Sequence, residues 1–500
     1  MIVIDGQSLT LAQFARAVFD GEACEPSQSA RVRIAAARRT VEEVAAREAP
    51  VYGVNTGFGD LAGVRIDPEN LLILQERLIL SHAAGVGDPL PDNAVRGMLL
   101  LRANTLARGH SGVRVEIVQA LLAFLNAGVL PVVPSRGSVG ASGDLAPLAH
   151  LALPLIGKGR VRINGEERPA AKGLEAAGVD TIVLQAKEGL ALINGTQAMS
   201  SLLAIAALEA RCLVRIADLA GAMSTDALRG TDVAFDPRLH ALRAHPGQQT
   251  SAANLWRLMQ GSGIRESHRH NDVRVQDPYS VRCIPQVHGA ARDLLSDVEN
   301  RLAVEMNSVT DNPIVFPEEG EILSGGNFHG EPMAFAADTL ALGVAELGAI
   351  SERRLEKLTN TAFSALPPFL VEDAGLNSGF MIAQVTAAAL ASENKTLCHP
   401  ASIDSIPTSA DKEDHVSMGM WAALKLQQIV ANSRRILAIE LLAATQGIDL
   451  LRPLRSSDAL EQVHAALRQR VPVWKQDREM AADIGAAEAF LAELNSSILD

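Results

Sequence analysis

Tyrosine is close to absent from this chain. Of 500 residues two are tyrosine, three tryptophan and twelve phenylalanine, so aromatics reach only 3%. That scarcity argues against aromatic-rich β architecture. The 48% hydrophobic content, carried mainly by Ala, Leu, Ile and Val, favours packed helices. Cysteine is scarce too: Cys24, Cys212, Cys283 and Cys398 lie far apart with no CxxC pair, which excludes a disulfide framework and a cysteine zinc site. Positive charge is in deficit. Forty-five Lys and Arg against 58 Asp and Glu give a formal charge of −13, which argues against nucleic acid or an anionic membrane surface as partner. Long apolar runs are lacking as well. The most apolar stretches are interrupted, as residues 201–223 are by Glu209, Arg211, Arg215 and Asp218, so no membrane span is expected. Met1-Ile2-Val3-Ile4-Asp5-Gly6 reads as a short strand and turn rather than a signal peptide. These absences lead to the expectation of a soluble, cytoplasmic protein with a large core.

What is present is concentrated in residues 135–150. Gly137, Gly140 and Gly143 permit backbone geometries closed to other residues, Ser142 and Asp144 are helix-capping types, and Pro147 suits a first helical turn. Leu145, Leu148, Leu151 and Leu155 then continue at helical spacing. Two readings fit this stretch. One is a glycine-rich turn into a helix. The other is a self-made electrophile: the Gly143 nitrogen attacks the Ala141 carbonyl, a five-membered ring closes, and the Ser142 hydroxyl leaves as water. Competing motifs fail. A nucleophile elbow needs Gly-x-Ser-x-Gly, but Asp144 holds the last place, and Gly157-Lys158 is followed by Gly159 rather than the Ser or Thr of a phosphate loop.

Elsewhere the pattern predicts helices over 29–47, 72–81, 197–223, 285–309, 332–359, 380–397 and 416–444. A hairpin with an Asn164-Gly165 turn is expected over 160–166. Gly109-His110-Ser111-Gly112 suggests a boundary between a domain of residues 1–110 and a mainly helical domain of residues 111–500. The linkers carry the polar residues. Tyr52 sits in the glycine-studded loop 51–59, and His82 ends the 72–81 helix, where a histidine commonly meets terminal carbonyls. Arg282 is suited to clamp a carboxylate bidentately, with Tyr279 three residues earlier on the same helix-start face. Tyr52 could accept a carbon-bound proton only with a pKa well below ~10. Glu413 is either a second acid/base or an exposed acid of the charge run 411–414. His268-Arg269-His270 lacks a third ligand at useful spacing, so no metal site is expected.

Residues 140–145 with Pro147-Leu148-Ala149 resemble the signature of the aromatic amino acid ammonia-lyases, which build a methylidene-imidazolone (MIO) group from Ala-Ser-Gly. The resemblance extends over nearly the whole chain, through segments 52–59, 81–87, 193–197, 276–282, 325–330, 377–388 and 413–418. It implies a mainly α fold, with a small mixed N-terminal domain and an elongated bundle of long helices. It also implies a homotetramer whose sites borrow residues from more than one subunit. On this resemblance Ala141, Ser142 and Gly143 become the MIO, with Asp144 and Phe328 supporting it. Tyr52 is implied as the β-proton base, Arg282 as the carboxylate anchor, and Asn194 and Tyr279 as supports of the MIO and the reacting amine. Gln276, Phe328 and Glu413 complete the pocket. His82 followed by Ala83, together with Met381, is similar to the histidine-selective branch, which implies L-histidine as substrate and trans-urocanate and ammonia as products. No PLP, nucleotide or metal is implied. Asp60 and Lys412 depart from the family's usual residues. The fumarase-type lyases would need a Gly-Ser-Ser-x-Met-Pro-x-Lys loop, which is missing from this sequence.

Overall fold

The computed structural model describes every residue except 48, 58, 60–62, 271, 273 and 495–500. Asp60, which departs from the family's usual residue, and Phe58 of the 51–59 loop therefore lie outside the described residues. Two compact units divide the chain. The first comprises Met1–Leu208, Val298–Asp338 and Pro400–Leu424; the second comprises Glu209–Asp297, Thr339–His399 and Lys425–Asp500.

Helices dominate, and their starts follow local capping chemistry. Thr10 and Gln13 form a reciprocal capping box at Leu11–Phe19. Ser27 Oγ accepts from Ala30 N at the head of Gln28–Ala45. The long periodic segments appear close to where the pattern places them: Leu71–His82, Gln197–Ala227, Ile284–Glu305, Glu331–Thr359, Met381–Leu397 and Gly419–Leu450. An apolar window of Glu331–Thr359 is long enough to span a bilayer by length and composition, which the charge-interrupted runs of the sequence did not suggest. Two thirds of that window (67%) is buried, as in the core helix of a globular protein.

The strands are short and lie in the first unit. Ile2–Ile4 pairs in parallel with Cys24–Pro26, as the opening residues suggested. Arg160–Ile163 and Glu166–Pro169 form the expected hairpin, with Asn164 and Gly165 both left-handed. The pairs Val86–Pro89 with Pro134–Arg136 and Ile314–Phe316 with Glu321–Leu323 were not anticipated.

Two parts of this unit position the site. Helix Asp92–Ala107 is buried along most of its length and supplies Arg102 to the interior. A cluster of Ala37, Val41, Val44, Val54, Leu71, Ala186 and Val315 seats the turn that carries Tyr52. Gly53 in that turn has φ +71°, and a side chain there would lie 2.8 Å from Leu190 Cδ2 and 2.9 Å from Pro313 Cδ, so only glycine lets the turn pack this closely.

Candidate active site

The first unit contains a cavity of about 840 Å³ whose lining includes Tyr52, His82, Ala141, Ser142, Asn194, Asn312, Phe328, Lys412 and Glu413. Its floor is the 137–144 loop, pinned from several sides. Met418 N donates to Val139 O (2.8 Å), and Ser417 Oγ donates to Gly140 O (3.0 Å). Gly143 has φ +69° and forms a bridge with Gly195; a Cβ on it would lie 2.1 Å from Gly195 O. Asp144 N donates to that same oxygen at 2.7 Å.

The capping expectation is corrected here. Helix Leu145–Ala152 does follow the loop, yet neither Ser142 nor Asp144 caps it through a side chain. The Asp144 carboxylate instead accepts from Ala198 N (3.0 Å) and Met199 N (2.9 Å), at the head of the Gln197–Ala227 helix, and from Ser138 Oγ (2.9 Å). Orphan N–H groups of a helix start and its positive dipole end account for that choice. Complete burial outweighs these donors and pushes the Asp144 carboxyl up to about 6. Ser142 Oγ donates to Glu413 Oε1 (2.7 Å), while Glu413 Oε2 accepts from Thr408 Oγ1 (2.6 Å). The serine hydroxyl thus faces a carboxylate rather than a helix.

Asn194 is buried. Its Nδ2 donates to Asn312 O (2.9 Å), its carbonyl accepts from Arg102 Nη1 (2.9 Å), and its Oδ1 has no partner among the described residues. An unsatisfied buried acceptor against a cavity is suited to an incoming N–H donor. His82 Nδ1 lies 2.9 Å from Leu78 O. A carbonyl accepts only, so Nδ1 carries the hydrogen and Nε2 of the neutral ring is left as an acceptor. Burial lowers the pKa of His82, which favours that neutral form, against smaller opposing effects of Leu78 O and Glu413.

Tyr52 runs against expectation in its charge. Burial first, and Glu413 to a lesser degree, push the phenol up, while a long 3.5 Å contact from Gly59 N opposes them. Proton abstraction by Tyr52 therefore needs cations beyond this arrangement.

Gln276, Tyr279, Arg282 and Met381 belong to the second unit, and none lines the cavity. Tyr279 and Arg282 share the short helix Tyr279–Arg282 as the spacing predicted, with the guanidinium 4.6 Å above the phenol ring and Tyr279 71% exposed. Thr408, Asn312 and Ser417 join the site without having stood out in the sequence. The Asn312-Pro313 pair is a turn signal, but nothing local announces that its carbonyl holds Asn194.

The family model for aromatic amino acid lyases matches residues 9–469. The chain is 56% identical over 478 residues to histidine ammonia-lyase of Deinococcus radiodurans, covering 96% of this chain and 91% of that protein. Its fold resembles the crystal structure of histidine ammonia-lyase from Trypanosoma cruzi, with TM-score 0.91, 48% identity, and coverage of 99% of this chain and 94% of that one. It also resembles tyrosine aminomutase from Streptomyces globisporus, with TM-score 0.93, 37% identity and coverage of 98% and 96%. A match over most of the chain, together with identity above half to a full-length relative, means that the chain belongs to the aromatic amino acid lyase family.

Proposed function

We propose that this chain removes ammonia from L-histidine without oxidation, giving trans-urocanate as the first step of histidine degradation. The observation that carries the reading is one cavity holding a glycine-bent Ala141-Ser142-Gly143 turn, the unpartnered Asn194 Oδ1 and the neutral His82 ring.

The turn fits the MIO group. Gly143 is left-handed and without room for a side chain, and Ser142 Oγ lies 2.7 Å from the Glu413 carboxyl, which is placed to pass a proton to the hydroxyl as it leaves as water. Once formed, that group supplies an electrophilic carbon that turns the substrate's amine into a better leaving group. Ala141, Ser142 and Gly143 would form it, with Asp144 and Phe328 supporting it.

The remaining residues bind, orient and move protons. His82 Nε2 accepts the N–H of the substrate imidazole, and Arg282 clamps the carboxylate bidentately. Asn194 Oδ1 accepts from the amine, with Tyr279 beside it. Tyr52 takes the β-proton, and Glu413 holds or relays protons near Ser142. Gln276 and Met381 complete the pocket. The raised pKa of the buried Tyr52 requires positive charge beyond this cavity, which Arg282 of another copy would contribute.

The 71% exposed Tyr279, a residue implied to meet substrate, supports a homotetramer in which copies share their sites. The four free cysteines and the acidic balance fit a cytoplasmic enzyme that engages neither nucleic acid nor membrane.

Ultraviolet absorbance during incubation with L-histidine, L-tyrosine and L-phenylalanine, beside Ser142→Ala, tests the proposal. Urocanate from histidine alone, lost in the variant, is expected. Product from tyrosine or phenylalanine in place of histidine would overturn the substrate, and a β-amino acid would indicate the aminomutase reaction suggested by the similarity to tyrosine aminomutase.

A further inference from the structure

The second unit buries an ion pair that the proposed reaction does not use. Arg354 and Glu440 are both inaccessible to solvent and meet through Nε to Oε1 (2.5 Å) and Nη2 to Oε2 (2.9 Å). Ser224 Oγ and Ser351 Oγ each donate a further hydrogen bond to the carboxylate, at 2.6 and 2.5 Å. Desolvating such a pair offsets most of its attraction, so an apolar pair of equal volume would stabilise the bundle as well or better. Stability alone does not explain why the charges are here.

The remaining nitrogen of Arg354 offers a reason. Nη1 donates to Ser280 O (3.4 Å) and lies 3.5 Å from His288 Nε2. His288 Nδ1 faces the Asp218 carboxylate at 2.8 Å and therefore carries its hydrogen there, which leaves Nε2 as acceptor for Arg354. Asp218 in turn accepts from Asn254 Nδ2 and Arg292 Nη2. The chain of bonds runs from Asp218 through His288 to Arg354, locked in angle by the Glu440 fork. It ends on the backbone of the four-residue helix Tyr279–Arg282.

We propose that Arg354 and Glu440 are positioning residues that hold the Tyr279–Arg282 turn in register, so that the carboxylate anchor and the amine-side phenol keep their mutual geometry. The inference rests on the substrate roles proposed for Tyr279 and Arg282. A single N–H···O=C contact at the centre of so short a helix acts on both flanking side chains at once, because each is within two residues of Ser280.

The chain's two tyrosines make the test direct. Full-length protein labelled with 3-fluorotyrosine gives two ¹⁹F resonances, assigned with Tyr52→Phe. Arg354→Lys keeps the positive charge facing Glu440, but an ammonium group cannot hold the Glu440 fork and reach the Ser280 carbonyl together. The Tyr279 resonance is expected to shift or broaden while that of Tyr52 stays, and KM for L-histidine to rise roughly tenfold with a smaller change in kcat. Glu440→Gln preserves shape, loosens the fork and gives the same signature more weakly, which covers the case of a poorly folded Arg354 variant. A lower melting temperature with the Tyr279 resonance and KM unmoved would overturn the inference. If the wild type proves inactive on histidine, the substrate reading falls, while the resonance still decides whether the pair holds the turn.

Discussion

Gly143→Ala isolates the physical demand that the 137–144 loop makes on its sequence. Two costs enter. A left-handed alanine costs roughly 1–2 kcal/mol wherever it occurs. The new Cβ would also lie 2.1 Å from Gly195 O, 2.4 Å from its carbonyl carbon and 2.8 Å from its Cα, so the Gly143–Gly195 bridge has to open. Opening it strands the buried Asp144 N and Gly195 O, now paired at 2.7 Å, and a stranded buried group costs about 1–3 kcal/mol. With both groups stranded, the combined loss is about 3–8 kcal/mol. Gly128→Ala is the control: φ is +64°, but nothing lies within 4 Å of the methyl it would add, so the backbone cost alone of roughly 1–2 kcal/mol applies. Denaturant midpoints and intact masses of the two variants, measured in parallel, read the difference. The control should retain a mass two waters short of the encoded chain, one from ring closure and one from loss of the Ser142 hydroxyl. Gly143→Ala should unfold earlier and keep both waters. If Gly143→Ala matched Gly128→Ala in midpoint and in mass, the argument from crowding at Gly195 would be refuted.

Other consequences are open to measurement. Asp144 has a folded pKa raised to about 6 from 3.8, so stability present while it is protonated is lost as pH rises through that value. Asp144→Asn escapes this loss, so its stability relative to the wild type should rise by about 1–2 kcal/mol between pH 5 and 7.5, as read from paired denaturant melts; a constant difference would contradict the buried-carboxylate account. Lys187→Met leaves Asp311 charged and fully buried without its 3.0 Å partner, which should cost about 3–5 kcal/mol, and Lys187→Met with Asp311→Asn should recover most of it. His82→Leu removes the imidazole acceptor from the cavity and should lower kcat/KM for L-histidine by roughly 10–100-fold, while His82→Gln, which keeps an acceptor, should lose less; an equal loss in both variants would show that His82 shapes the cavity rather than reading the imidazole.

The parts of this molecule that were legible in its sequence are those whose cause is local. Helix Glu331–Thr359 repeats its apolar positions over about eight turns, and the Asn164-Gly165 turn needs only two residues to impose its geometry. The glycine-bent 137–144 turn was legible for the same reason, since small Ala141, hydroxyl-bearing Ser142 and bare Gly143 are consecutive. Asp144 shows where local reasoning ends. Its type marks a helix cap, but type does not say which helix, and the carboxylate caps one that begins 53 residues later, at Gln197. The Ser142–Glu413 contact spans 271 residues, beyond any spacing rule.

Buried arginines form a second class that composition conceals, because an arginine is ordinarily assigned to the surface. Arg102 and Arg354 are fully buried in this fold, and each directs a guanidinium nitrogen at a backbone carbonyl of a segment that the proposed reaction uses: Asn194 O for one, Ser280 O for the other. A carbonyl is the one group a loop cannot change by substitution, so a charge aimed at it fixes the path of the chain while leaving the neighbouring side chains free to meet substrate. The same logic explains why Asn194 Oδ1 stays unpartnered among the described residues: Arg102 holds the Asn194 backbone and Asn312 O holds its amide nitrogen, which leaves the side-chain oxygen of a cavity-lining residue unheld. Arg102→Lys should therefore leave the fold intact yet raise KM for L-histidine, since a lysine cannot serve the Asn194 carbonyl and Gln197 Oε1 with the fixed geometry of a guanidinium. An unchanged KM, measured beside an unchanged melting temperature, would show that Asn194 keeps its place without that charge.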